Sequence, residues 1–234
     1  DEVGVSIVLS STVNMTNTIL VNHTTGISIE AGSTLLANGI LWDNNDQNFT
    51  GDGIVNISNE FTGDPAFDAD GYHLTIASAA LDRGVDSGVS DDLDGLPRPH
   101  GAYDLGADEV TCFAQIEGDS ATTYVTVQDA IDAANEDDVI KVAGQCTRME
   151  TRDDVTQIAY VDKTITLRGG YSDGNWEMSD PTTTPTMLDA QGKGRVFYVT
   201  GNVSPTIESF TITNGDATGQ GGDPDGDAGG GVYI

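Results

Sequence analysis

Short apolar clusters recur along the chain, among them "ISI" at 27–29, "GIL" at 39–41, "ITL" at 165–167, "VFYV" at 196–199 and "FTIT" at 210–213. Gly, Asn and Asp stand between them. β-Branched residues suit strands, and Gly, Asn and Asp accept the positive φ of tight turns, so the pattern predicts an all-β chain of short strands. The first apolar position of each strand in the second half falls at Ile140, Ile165, Leu188, Phe210 and Val232, separated by 25, 23, 22 and 22 residues. In the first half "TNTILVNHT" from Thr16 aligns with "ANGILWDNN" from Ala37, which sets Ile19 and Ile40 21 residues apart. A period of this size means stacked units. Three short strands and three turns fill it, one turn of a solenoid whose inward side chains form a continuous core. The expected fold is a right-handed parallel β-helix. Ile165, Leu188, Phe210 and Val232 are expected to share one inner face, as are Ile19 and Ile40. A leucine-rich repeat needs regularly placed Leu, in which the chain is poor, and a β-sandwich shows turn signals at about 8–12 residue spacing without the longer recurrence.

One helix is expected, about 10 residues long by the usual start and stop signals, within "TYVTVQDAIDAANEDD". Thr126 and Asp129 form a capping-box pattern, and Val127, Ile131 and Ala134 lie on one helical face. Such a helix plugs an open solenoid end. Before it, at 91–110, "DDLDGLPRPHGAYDLGADEV" reads as a closing segment, although it lies mid-chain. The expected organisation is therefore residues 1–110 as final coils and closing segment, and 111–234 as capping helix and opening coils. Because "DEVGVSIVLS" and "GGGVYI" both read as strand, and a copy placed after Ile234 would keep the period, the units are expected to stack head to tail into a filament. The contact would place Val5, Ser6, Ile7 and Val8 against Val232, Tyr233 and Ile234.

The segment "YHLTIASAALDRGVDSGVSDDLDGLPRPHGAYDLGADEV" resembles the one that closes bacterial surface β-helix proteins of the choice-of-anchor Q type. Its pieces "SAALDRG", "DLDGLPRP" and "DLGADE" match that family's "SPAIDAG", "DLDGNPRP" and "DIGADE"-like elements, in the same order. The second half, with "TVQDAIDAA", "ITLRGGY", "LDAQGKGRVFYV" and "TIESFTITNG", resembles the opening coils of pectate-lyase-like solenoids. The resemblance implies a secreted β-helix and says little about activity. It departs from the family in order, the closing segment preceding the opening one.

The chain has 234 residues with 38 Asp and Glu against 9 Lys and Arg, a net charge of -29. Phosphate backbones and anionic membrane surfaces repel a chain of that balance, so nucleic acid is not expected as a partner. No apolar run approaches the roughly 20 residues that span a bilayer. Cys112 and Cys146 flank the expected helix, and in an exported chain such a pair reads as a disulfide, with two buried thiols as the alternative.

Candidate chemistry is sparse. Polysaccharide lyases on this scaffold use clustered carboxylates for Ca²⁺ and a Lys or Arg as base. Asp91, Asp92 and Asp94 stand near Arg98, and Asp223, Asp225 and Asp227 occupy "GGDPDGDAGGG"; both are candidate structural Ca²⁺ sites, and neither fits an EF-hand loop. The first also reads as a turn stiffened by Pro97 and Pro99. His23, His73 and His100 show no triad or metal spacing and are expected at the surface or in turns. Sequons occur at Asn14, Asn22, Asn48, Asn56 and Asn202. Asn17, Asn22, Asn38 and Asn44 are expected at turns, their amides hydrogen-bonded between coils. The favoured function is an extracellular structural or adhesive surface protein, self-associating and able to meet cell-surface polysaccharide, with no cofactor beyond structural Ca²⁺. The alternative is a polysaccharide lyase or glycoside hydrolase.

Overall fold

The computed structural model describes residues 2–222 and 227–234. It is built mostly of strands, with one helix among the described residues, and divides into two compact units, Asp1–Val110 and Thr111–Ile234.

The first unit holds β1 (Val3–Ile7), β2 (Thr12–Val21), β3 (Thr25–Ile29), β4 (Thr34–Asp43), β5 (Gln47–Thr50) and β6 (Ile54–Thr62). They form two three-stranded parallel sheets, β1-β3-β5 and β2-β4-β6. Ile27 pairs with Val5 and with Phe49, a step of 22 residues each way. Side chains alternate as the pleat requires: in β4, Leu35 and Ala37 are buried while Leu36 and Asn38 face out. The alternation then breaks at a corner. Asn17, Gly39 and Asn59 occupy equivalent positions in β2, β4 and β6, and all have positive φ, at 47°, 74° and 51°. Gly39 is required there, since a Cβ would lie 2.7 Å from Asn17 Oδ1. Beyond the corner Ile40, Leu41 and Trp42 are all buried.

This register corrects the expected Ile19–Ile40 stack. Ile19 pairs with Leu41 and Ile40 with Thr18. The step is 22 residues rather than 21, and a slip of one changes the face.

Asn22 and Asn44 also stack, both at positive φ, and Asn44 Nδ2 donates to Asn22 Oδ1 at 2.7 Å. Asn59 Nδ2 donates to Asn38 Oδ1 at 2.8 Å. Asn17 departs from the expected amide ladder: its side chain exchanges hydrogen bonds with the backbone of Val85, at 2.7 and 2.8 Å.

The second unit holds β7 (Cys112–Ile116), α1 (Val127–Ala133), β8 (Val139–Cys146), β9 (Glu150–Arg152), β10 (Val155–Val161), β11 (Thr166–Tyr171), β12 (Thr186–Asp189), β13 (Arg195–Val199), β14 (Thr206–Glu208), β15 (Phe210–Thr213) and β16 (Val232–Tyr233). Three parallel ladders run through it. Leu167 pairs with Ile140 and Ile207, Leu188 with Cys146 and Ile212, and Phe197 with Ala159 and Val232. β8 serves two ladders because it bends at Gly144, whose φ is 81° and where a Cβ would meet Thr111 O at 1.9 Å.

The expected stack of Ile165, Leu188, Phe210 and Val232 is therefore wrong. Leu188 and Val232 belong to different ladders, and Phe210 pairs with Thr186. The steps within ladders are 27 and 40, 42 and 24, and 38 and 35 residues, so the regular 22–25 residue spacing either joined one ladder out of register, as Leu188 with Phe210, or crossed between ladders, as Phe210 with Val232. With ladder steps this unequal, the period gives no support to a copy stacked after Ile234.

Three devices cover the free sides of β8 and β10. β7 and β9 pair antiparallel with β8 and β10. α1 supplies the third. Thr126 caps it by accepting from Asp129 N at 3.0 Å, and Lys163 Nζ donates to the C-terminal carbonyls of Ile131 and Ala134 at 3.0 Å each. The helix is shorter than the expected 10 residues because the chain leaves helical geometry at Ala134, with ψ of 150°. Val127, Ala130, Ile131 and Ala134 join Ile140, Ile158, Leu167, Leu188 and Phe197 in one core. A disulfide between Cys112 and Cys146 joins β7 to the end of β8.

Candidate functional site

Residues 63–110 contain only isolated bridges, Phe67 with Leu74, Asp91 with Pro97 and His100 with Ala102. Backbone groups without ladder partners must be satisfied some other way. Turn and loop bonds between backbone groups take many of them, and carboxylates take others. Asp92 accepts from the N–H groups of Asp94 and Leu96 at 2.8 Å each and of Glu109 at 3.3 Å. Asp104 accepts from Asp82 N at 2.7 Å and Val110 N at 2.9 Å. Glu109 accepts from His100 N at 2.8 Å and Asp104 N at 3.1 Å. Arg98 pairs with one of them: Nε donates to Glu109 at 3.0 Å, and Nη1 and Nη2 donate to the carbonyls of Gly106 and Asp104. The Arg98 and Glu109 side chains are only 5% and 1% exposed, which makes their pairing and their full set of hydrogen bonds a structural necessity.

The electrostatics follow from burial. Burial pushes the Asp104 carboxyl up to about 7, helped by the nearby Glu109 and Asp82 charges and opposed by the two N–H donors. Asp92 is raised for the same first reason.

A second cluster forms around His73, which is 7% exposed. Of the expected surface or turn placement, burial overturns the surface half, while His73 does lie in the bend 71–73. Its Nδ1 lies against Asp70 Oδ2 and its Nε2 is 2.9 Å from Asp94 Oδ2. Burial pushes Asp70 up, but the contact with His73 and the N–H groups of Tyr72 and His73 outweigh it and hold that carboxyl below its ordinary value. Asp108, 3% exposed, accepts from Leu74 N at 2.6 Å. Among the described residues, one set of three or more His, Cys, Asp or Glu converges closely enough to share a cation: His73, Asp94 and Asp108, whose ligand atoms all lie within 4.8 Å of one another.

The expected site residues thus divide. Asp94 enters this cluster, Asp92 is engaged by backbone, and Asp91 is exposed and accepts from Ser90 Oγ at 2.8 Å. Asp227 accepts from Gly219 N at 2.9 Å, whereas Asp223 and Asp225 lie outside the described residues. Asp70 and Asp108 were missed. The Asp-x-x-His spacing of Asp70 and His73 was the one local signal for the cluster.

A pocket of about 360 Å³ adjoins it, lined by Ile19, Phe67, Tyr72, Leu74 and Leu105 together with Asp108. Of the expected assembly residues, Val5, Ser6 and Ile7 lie on β1, at the edge of its sheet, with Ile7 buried and Val8 just after it. Val232 and Tyr233 form β16, also an edge, and Ile234 is 90% exposed. No helix among the described residues is long and apolar enough to cross a membrane.

No family model, curated protein or solved structure matches the chain.

Proposed function

We propose that this chain is an extracellular structural or adhesive surface protein, folded as a right-handed parallel β-helix and associating head to tail. The observation that carries the reading is the parallel register of β2, β4 and β6, with left-handed corner residues and asparagine amides repeated from strand to strand. Parallel strands joined in this way favour right-handed connections. Repetition of one strand geometry suits a scaffold whose length is its use. The disulfide supports export, since such bonds persist in oxidising compartments. The choice-of-anchor Q resemblance of the closing segment points the same way.

Self-association rests on β1 and β16. Each pairs in parallel with its neighbour and lies at the edge of its sheet among the described residues, and such an edge offers backbone donors and acceptors to a further strand. A contact between these two different surfaces is heterologous and propagates as a filament unless it closes into a ring. Electron microscopy and sedimentation of the purified protein test this directly. Fibres with a regular axial repeat support it. Dispersed monomers at high concentration, together with unsaturated or reducing ends released from acidic polysaccharide in the presence of Ca²⁺, would replace it with the lyase or hydrolase reading.

A further inference from the structure

We propose that His73, Asp94 and Asp108 bind one divalent cation of the Zn²⁺ class. The donor set is one imidazole nitrogen and two carboxylates, with ligand atoms all within 4.8 Å of one another. Imidazole with carboxylate suits Zn²⁺ and its first-row neighbours, whereas Ca²⁺ takes oxygen ligands.

Outer contacts orient two of the three donors. Asp70 lies against Nδ1 of His73, which leaves Nε2 to face Asp94. This is the carboxylate–histidine pairing that commonly stands behind a metal-bound imidazole. Asp108 is buried and held by the Leu74 N–H at 2.6 Å. Asp94 sits within the tight turn organised by Asp92, which accepts the Asp94 N–H at 2.8 Å. Donors reaching from 73, 94 and 108 are thus fixed by three different stretches of an irregular segment. A cation there cross-links them, and binding that requires the folded arrangement stabilises it by mass action.

The His73–Asp94 contact of 2.9 Å lies where the cation would sit. An incoming cation takes the place of the proton shared there, and that proton leaves to solvent. Three protein ligands are one fewer than a closed tetrahedral site has, and Asp108 also lines the adjoining pocket. The fourth position falls to water or to a small anionic ligand.

The test uses the full chain, free of any histidine tag and stripped with chelator. Isothermal titration with Zn²⁺, and Co²⁺ titration read by its visible absorption, should show one equivalent bound at micromolar or tighter affinity. His73→Gln and Asp94→Asn should each weaken it at least tenfold, while His23→Gln and His100→Gln leave it unchanged. Circular dichroism of the variants establishes that they remain folded; Asp94, at 18% side-chain exposure, is the milder change. Absence of stoichiometric binding by the folded wild-type chain overturns the proposal. So does Zn²⁺ binding that survives in folded His73→Gln and Asp94→Asn, or binding of Ca²⁺ in preference to Zn²⁺ and Co²⁺.

Discussion

The side-chain carbonyl of Gln128 accepts a hydrogen bond from Tyr160 N at 2.6 Å, and its amide nitrogen reaches Tyr160 O at 3.3 Å. A helix residue thereby pairs with a strand as another strand would. β9 pairs with β10 only as far as Gln157, so Gln128 takes over where that hairpin partner stops. Gln128 is 1% exposed, so its loss leaves buried backbone groups without partners. Gln128→Ala should destabilise the second unit by about 1–3 kcal/mol. Urea unfolding measures the cost, and hydrogen exchange should show protection of the Tyr160 amide falling more than that of Phe197.

The Cys112–Cys146 bond closes a sequence separation of 34 residues around α1. Chain-entropy reasoning gives it roughly 3–4 kcal/mol. The Cys112→Ser, Cys146→Ser double variant should show that loss in denaturant unfolding, with its midpoint insensitive to added reductant.

Asp104, with its carboxyl raised to about 7, sets a pH dependence of definite sign. The folded chain holds this proton more tightly than the unfolded chain, whose carboxyl titrates near 3.8. Between roughly pH 4 and 7 the native state therefore carries more protons, and this group's contribution to stability falls as pH rises through that window. Above it the contribution is flat. The unfolding midpoint of wild type relative to that of Asp104→Asn should fall from pH 4.5 to pH 7.5; a difference constant across that range refutes the assignment.

At Asn22 φ is 63°, a conformation in which an ordinary side chain is strained and glycine is not. Asn22→Ala and Asn22→Gly both remove the acceptor used by Asn44. Their difference isolates the backbone term. Asn22→Ala should be less stable than Asn22→Gly by about 1 kcal/mol, read from thermal or urea melts.

Features decided within a few residues were legible in the chain. Thr126 caps at Asp129 because the N-cap interaction spans three residues, and Asn22 and Asn44 mark turns because their side chains tolerate positive φ wherever the strand ends. The ladders of the second unit were not legible. Inserted stretches of unequal length, such as 172–185 between β11 and β12 and 214–231 between β15 and β16, make residues that are adjacent in space unevenly spaced in sequence. A regular count then joined Leu188 to Val232 across different sheets. The His73 cluster was hidden for a related reason: Asp94 lies 21 residues from His73, and Asp108 lies 34 from Leu74, whose N–H positions it.

The amino-acid sequence by itself determined an all-β chain with one short helix, because β-branched clusters, turn residues and a capped amphipathic stretch act through neighbours along the backbone. It determined the turn positions of Asn22 and Asn44 in the same way. Only the tertiary structure decided which strands share a ladder, that Ile19 meets Leu41 rather than Ile40, and that a histidine without motif spacing is buried among carboxylates. Those outcomes depend on where the chain returns after each excursion. A one-residue slip at the Asn17–Gly39 corner reverses a face, and an irregular segment stripped of ladder partners recruits whatever carboxylates reach its backbone.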